Sequence, residues 1–161
     1  MRTKATAFSV AVALAVAAAG SASALTVETK FTPDFQKKID KDYGAREGQE
    51  LTEIMAAKIQ SQFTRQGVKA DHVTVTIEDA RPNRPTMKQI SDKPGLDPIR
   101  SISTGGAKVS GVAYDASGKE IGTFSYNWYE TDIANVIAAT TWTDARWTFD
   151  RFARRFADKL T

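Results

Sequence analysis

Residues 107–130 read AKVSGVAYDASGKEIGTFSYNWYE and predict a β-hairpin. The stretch Asp115–Gly118 has the composition of a tight turn, and Gly118 suits a positive φ. Upstream, Gly105–Gly106 predicts a flexible strand entry or a bulge. Three aromatic residues alternate along the second strand and share one face: Phe124, Tyr126 and Trp128. Because the other face is also partly apolar, we expect this strand to be central or covered by a helix.

Two further strands precede the hairpin. HVTVTIE at 72–78 alternates strictly between polar and apolar residues and is rich in β-branched side chains, as a half-buried strand is. LTVETKF at 25–31 predicts a shorter first strand. A charged connector is predicted over Thr32–Gln49, because Pro33 argues against the strand continuing.

Two amphipathic helices are predicted. The first covers 46–66, with Gly67 placed to end it in the left-handed conformation. Its apolar stripe is Leu51, Ile54, Met55, Ile59 and Phe63. The second runs from about Trp142 to Lys159, and Thr141–Asp144 has the spacing of a capping box. Its stripe is Ala145, Phe149, Phe152, Ala153, Phe156 and Leu160.

Two segments remain without regular structure in this prediction. Four prolines exclude a continuous helix or central strand from residues 79–104. A loop of that length is either a surface crossover, which we favour, or a binding loop. Residues 131–140 form either a short helix or a half-buried loop.

The order of these elements predicts an α+β fold in a single domain, residues 25–161. We expect a small, mostly antiparallel sheet of about four strands, with the two helices packed on one face to bury their stripes.

Residues 1–24 have the pattern of a secretory signal peptide. Arg2 and Lys4 precede an apolar run, and Ala22–Ala24 predicts cleavage before Leu25. The apolar run is too short for a transmembrane anchor, which needs roughly 20 residues. The chain has no cysteine, so neither a lipid-anchoring thiol nor a disulfide is expected.

Cleavage would also change the charge. Loss of Arg2 and Lys4 from 22 basic residues leaves 20, against 19 acidic ones, a net charge of +1. Nucleic-acid binding is therefore not expected, because it needs a strong positive footprint.

The chain resembles small bacterial exported proteins of unknown function. The resembling stretches are LTEIMAAKIQSQFTRQGV at 51–68, VTVTIEDARP at 73–82, the hairpin at 105–130 and the last helix. Their layout is similar to envelope lipoproteins and to the amino-terminal domain of TolB. The resemblance implies a soluble envelope protein with a binding or assembly role, and it carries over no active-site residue.

Residues with catalytic potential are few. His72 is the only histidine and no GxSxG motif accompanies it, so a serine relay and a zinc site are not expected. Asp92, Asp97 and Asp115 lack the spacing of a calcium loop. The acid pairs Asp40 with Asp42 and Glu130 with Asp132 leave a carboxylate-based hydrolase as the weakest alternative. We therefore expect no enzyme, cofactor or metal.

Two groups of residues are binding candidates. The aromatic set is Tyr126, Trp128, Trp142 and Trp147, which could stack on a ligand or pack in the core. The basic set is Arg146, Arg151, Arg154, Arg155 and Lys159, which could meet an anionic polymer or form an ordinary solvated face. Core packing and a solvated face are the favoured interpretations.

The leading functional hypothesis is a non-enzymatic protein, in the periplasm or secreted, that binds an envelope protein or an anionic envelope polymer. The rival is a small-molecule or lipid carrier with an apolar pocket under residues 79–104.

Overall fold

The computed structural model of the protein describes residues 24–161. The predicted signal peptide, residues 1–24, thus lies outside the described residues except for Ala24. Within the described part, no helix combines the length and apolar character needed to cross a membrane.

Four strands form one sheet in chain order. They are β1 (Thr26–Phe31), β2 (His72–Arg81), β3 (Gly106–Tyr114) and β4 (Glu120–Tyr129). The first pair is parallel, and β2 with β3 and β3 with β4 are antiparallel. The predicted small, mostly antiparallel sheet is confirmed. Strand β4, expected to be central or covered by a helix, is an edge strand with one face covered by α4.

Two long helices cover one face of this sheet: α2 (Ala45–Gln66) and α4 (Thr143–Leu160). Their predicted apolar stripes supply most of the helical core, and Gly67 ends α2 with φ 69° as expected. The core lies between these stripes and the inward residues of β2 and β3, among them Val73, Val75 and Val109. The fold is α+β, as predicted.

The predicted connector over Thr32–Gln49 was wrong, because most of it is helical. Helix α1 (Pro33–Lys38) is followed by a π-helical turn at Ile39–Tyr43. Thr32 caps α1 by accepting a hydrogen bond from the Phe35 amide at 3.3 Å. Phe35 is buried in the core. The burial of apolar side chains outweighs the charged character of the segment.

The segment after β2 is also more ordered than predicted. Strand β2 extends to Arg81, and helix α3 (Met87–Asp92) lies within residues 79–104. The Thr86 hydroxyl and the Gln89 side chain form a capping box at the start of α3. In the other open segment, a single 3₁₀ turn forms at Ile133–Asn135.

The capping box predicted at Thr141–Asp144 was wrong. Helix α4 begins at Thr143 without a side-chain cap on its first residue. The carboxylate of Asp144 instead accepts hydrogen bonds from Asn83 Nδ2 at 2.6 Å and from the Gly105 amide at 3.0 Å. The Asp144 amide donates back to Asn83 Oδ1 at 2.8 Å. A buried carboxylate is strongly stabilised by such donors, so this network takes precedence over a local cap.

Candidate binding surface on the last helix

Helix α4 carries the candidate site on the side that faces away from the core. The arginine–aromatic surface consists of Arg151, Arg154 and Arg155 on α4, the rings of Tyr126 and Trp128 on β4, and Trp147. Helical periodicity brings the arginines to the exposed side, while Phe149, Phe152 and Phe156 face the sheet. Alternation along β4 turns Tyr126 and Trp128 toward α4.

Two of the arginines lie over the two rings. The guanidinium carbon of Arg151 is 4.7 Å from the centroid of the Trp128 ring. That of Arg155 is 4.9 Å from the Tyr126 centroid. A cation placed over an aromatic ring gains about 0.5–1 kcal/mol at an exposed site. The rings are therefore covered by cations, and their main effect is to hold the guanidinium groups in place.

These arginines are not neutralised by carboxylates. Among the described residues, no ion pair involves Arg151, Arg154 or Arg155. The other predicted cations are engaged. Arg146 lies 3.5 Å from Glu50 of α2, and Lys159 donates to the Thr123 carbonyl of β4 at 2.8 Å. The surface therefore carries a local positive charge despite the nearly neutral composition.

A groove of about 690 Å³ borders this surface. It lies between α4, Lys58 of α2 and residues 139–143. Trp147 lines the groove and is 39% exposed, so part of the indole is open to solvent. Lys58 is paired with Asp150 at 2.9 Å. Arg151 and Arg154 also line the groove, which combines guanidinium groups with an accessible aromatic ring.

Trp142 does not belong to the surface, although its sequence suggested it as a candidate. Its side chain is fully buried and packs edge-on against Tyr43, with centroids 5.4 Å apart. Its indole nitrogen donates to Glu47. The residue is thus part of the core, and only Trp147 of the predicted tryptophans offers an open ring.

The acid pair Glu130 and Asp132 and the histidine His72 make contacts with nearby residues. Glu130 accepts the amides of Thr131 and Asp132, and Asp132 accepts the amide of Ala134. The backbone donors lower the pKa of Glu130, which disfavours a protonated acid at neutral pH. His72 Nε2 lies 3.0 Å from the Thr74 hydroxyl and 3.7 Å from Glu28.

Of the three loop carboxylates without calcium-loop spacing, Asp92 is paired with Lys88 at 2.7 Å, and the other two accept hydrogen bonds within turns. Asp97 accepts the amides of Ile99 and Arg100, and Asp115 accepts those of Ser117 and Lys119. The amides lower the pKa of Asp97. The pKa of Asp115 is lowered first by the Ser117 hydroxyl, which donates to it at 2.6 Å, and then by the amides. Across residues 24–161, no group of three or more metal-ligating side chains comes together.

Sequence reasoning missed Lys58 as part of the groove. Its place on the polar face of α2 was predictable, but its contact with Asp150 joins residues 92 positions apart. Asn83 was missed as well, because a single asparagine in a proline-rich segment carries no local signal for burial.

Comparisons with known proteins give a weak likeness to solved structures. No protein-family model matches the chain, and no curated protein matches it. Among solved structures, the chain is similar to a protein from Caulobacter crescentus described as a "putative lipoprotein". The two share 13% sequence identity over 83% of each chain, with a TM-score of 0.29. At that TM-score the likeness carries no argument about the site.

Proposed function

We propose that this chain is a non-enzymatic binding protein of the bacterial envelope, which recognises an anionic envelope polymer through the arginine–aromatic surface. The observation that carries the proposal is a set of three arginines that pair with no carboxylate of residues 24–161. Two of them are held over aromatic rings, and they lie beside an open tryptophan.

The arrangement suits carboxylate or phosphate groups. A guanidinium can donate two parallel hydrogen bonds to such a group, and an arginine already fixed over a ring loses less conformational entropy when it binds. The partly open Trp147 ring supplies an apolar face on which a sugar ring can stack.

The shape favours an extended ligand. The arginines and Trp147 lie along α4 between Trp147 and Arg155, a rise of about 12 Å along the helix axis. A polymer can contact several of these groups at once, whereas a single small molecule would reach only part of them. Envelope localisation is supported by the predicted signal peptide at residues 1–24.

Absence of catalysis is part of the same proposal. The acid pair Glu130 and Asp132 is committed to backbone amides, and Asp150, the carboxylate that lines the groove, is paired with Lys58. An acid–base reaction needs a carboxylate free to exchange a proton with a substrate.

Co-sedimentation with isolated peptidoglycan sacculi and binding to soluble polygalacturonate test the proposal. The test variant is Arg151→Gln/Arg154→Gln/Arg155→Gln. The matched control is Lys30→Gln/Lys37→Gln/Lys41→Gln, which removes the same charge from β1, α1 and the turn after α1.

We expect the parent chain and the control to bind at least one of the two polymers, and the arginine variant to bind it roughly tenfold more weakly or not at all. If both variants lose the same amount of polymer affinity, the interaction depends on net charge alone, which would contradict the proposal. Absence of binding to either polymer by the parent chain would also contradict it.

A further inference from the structure

A second cavity, of about 420 Å³, lies beneath the segment that follows β2. It opens between the π-helical turn, α3 and residues 101–104, and it shares no lining residue with the α4 groove. The polar and charged groups that line it include Tyr43, Arg81, Arg84, Gln89, Lys93 and Thr104. Its size lies within the range of small-molecule sites, about 300–1,000 Å³.

Arg84 is held rigidly at the wall of this cavity. Its Nε donates to the Ala138 carbonyl, and one terminal nitrogen donates to the carbonyls of Ile99 at 2.6 Å and Pro98 at 3.3 Å. These bonds join two separate loops through one guanidinium. The second terminal nitrogen makes no hydrogen bond within the described residues, so a donor with a fixed direction remains for a ligand.

The charge of the lining is uniformly positive. Arg81, Arg84 and Lys93 line the cavity, and no aspartate or glutamate of the described part of the chain does. Asp79 lies beside Arg81, 3.9 Å from its Nε, but it is already bound by Lys38 at 2.7 Å and by the Tyr129 hydroxyl at 2.9 Å. Arg81 is therefore only weakly compensated.

Tyr43 adds a neutral donor. Its ring is fixed between Phe35 and Trp142, and its hydroxyl has no hydrogen-bond partner among residues 24–161. Burial, reinforced by Asp79, raises the pKa of Tyr43 to about 12, so the hydroxyl keeps its proton at neutral pH.

The wall formed by α3 is also preorganised. Gln89 accepts the Thr86 amide through Oε1, and the Thr86 hydroxyl accepts the Gln89 amide. This capping box fixes the Gln89 side chain and leaves its side-chain nitrogen, Nε2, as a further donor. Donors thus reach the cavity from three elements of the fold.

We propose that this cavity binds a small organic anion, a sugar phosphate or a sugar acid, with Arg84 as the anchor and with Arg81, Lys93 and the Tyr43 hydroxyl as further donors. This site is separate from the polymer-binding surface. It also replaces the idea of an apolar carrier, because a lipid tail would bury guanidinium groups without a partner, at a large desolvation cost.

Isothermal titration calorimetry with three probes tests the site: glucose 6-phosphate, glucuronate and uncharged glucose. We expect at least one anion to bind and glucose to bind far more weakly, and the better anion identifies phosphate or carboxylate as the recognised group. Binding of glucose with equal affinity, or of neither anion, would overturn the proposal.

Two mild substitutions test whether the anion binds in this cavity: one changes an exposed lysine, and the other removes a single oxygen atom. Lys93→Gln should weaken the binding of the tighter-binding anion about fivefold. Tyr43→Phe should weaken the same binding severalfold, because it removes one hydroxyl donor. Lys69→Gln, three residues before the start of β2, removes the same charge and should leave the affinity unchanged. Equal effects of Lys93→Gln and Lys69→Gln would overturn the assignment.

The triple arginine variant of α4 separates the two proposals. It should bind the small anion with parental affinity even where polymer binding is lost. Loss of the small anion in this variant would place the anion on α4 and would overturn the cavity site.

Discussion

The indole nitrogen of Trp142 donates a hydrogen bond to Oε2 of Glu47 at 2.7 Å and so joins the start of α4 to the first turn of α2. Both side chains are buried, at 0% and 7% exposure. The carboxylate needs this donor because a buried charge without hydrogen bonds is costly. The contact explains why Trp142 lies in the core and Trp147, five residues later, lies at the surface.

We predict that Trp142→Phe destabilises the fold by about 2–4 kcal/mol, since it leaves the Glu47 oxygen without its donor and shrinks a packed side chain. Urea unfolding followed by circular dichroism measures this change. Trp147→Phe is the matched control and should cost less than about 0.5 kcal/mol, as expected for a surface position. Similar losses in both variants would contradict a structural role for the Trp142–Glu47 bond.

Asn83 holds together three parts of the chain. Its side chain donates to the Ser103 carbonyl at 3.1 Å and to Asp144, and it accepts the Asp144 amide. We predict that Asn83→Ala destabilises the protein by about 3 kcal/mol, because a buried carboxylate loses a donor.

The same unfolding measurement on Asn127→Ala provides the comparison, because Asn127 is exposed on β4. The two variants should differ clearly in their urea midpoints. If Asn83→Ala unfolds at the same urea concentration as Asn127→Ala, the network contributes little to stability.

The glycine pair before β3 belongs to this network. A Cβ on Gly105 would lie 2.7 Å from Asn83 Oδ1, so only glycine allows the backbone to come close enough for its amide to reach Asp144. The sequence predicts a strand entry at this pair, but the reason for it lies 39 residues away in α4.

Elements with a strong period were predictable. The stripes of α2 and α4 and the alternation of β2 each place several apolar residues on one face, so their burial follows from the sequence alone. Helices α1 and α3 have six residues each, too few to show a period. Only their first residues indicate these helices in the sequence. Thr32 precedes Pro33 at the start of α1, and Thr86 lies three residues before Gln89 at the start of α3.

The candidate site was predictable in its residues but not in its geometry. The arginines of α4 and the rings of β4 stood out as two separate sets, and their pairing depends on how α4 crosses the sheet. Arg84 was not predictable, because its anchoring uses carbonyls 14 and 54 residues away.

Burial and the carboxylate of Asp79 together raise the pKa of two tyrosines, Tyr43 and Tyr129. Burial and then Asp79 raise the pKa of Tyr43 to about 12, and burial and a hydrogen bond to Asp79 raise the pKa of Tyr129. A folded pKa above the unfolded value of about 10 gives a stability contribution that is complete below pH 10. For Tyr43 it is lost as the pH rises toward about 12.

We predict that Tyr43 and Tyr129 ionise above the ordinary range of a tyrosine in an alkaline titration followed by ultraviolet absorbance. Asp79→Asn should lower the pKa of both, without restoring the ordinary value, because burial remains. Asp150→Asn removes a carboxylate that is paired with Lys58 and does not contribute to either pKa shift, so it should leave the titration unchanged. An unchanged titration in Asp79→Asn would contradict the assigned cause.

The cation–π pairs give the last prediction. Arg151 and Arg155 lie over rings, whereas Arg154, between them in sequence, lies over none of the aromatic rings in the described part of the chain. Lysine keeps the charge but loses the planar group that stacks and donates in pairs.

We therefore predict that Arg151→Lys and Arg155→Lys each weaken polygalacturonate binding about twofold to fivefold, equivalent to about 0.5–1 kcal/mol. Arg154→Lys should weaken it less, because that position loses no ring contact. Titration calorimetry at low and high salt separates the effects, since screening reduces the shared charge contribution in all three variants alike. Equal losses at the three positions would show that charge alone, and not the placement of guanidinium groups over Trp128 and Tyr126, determines binding.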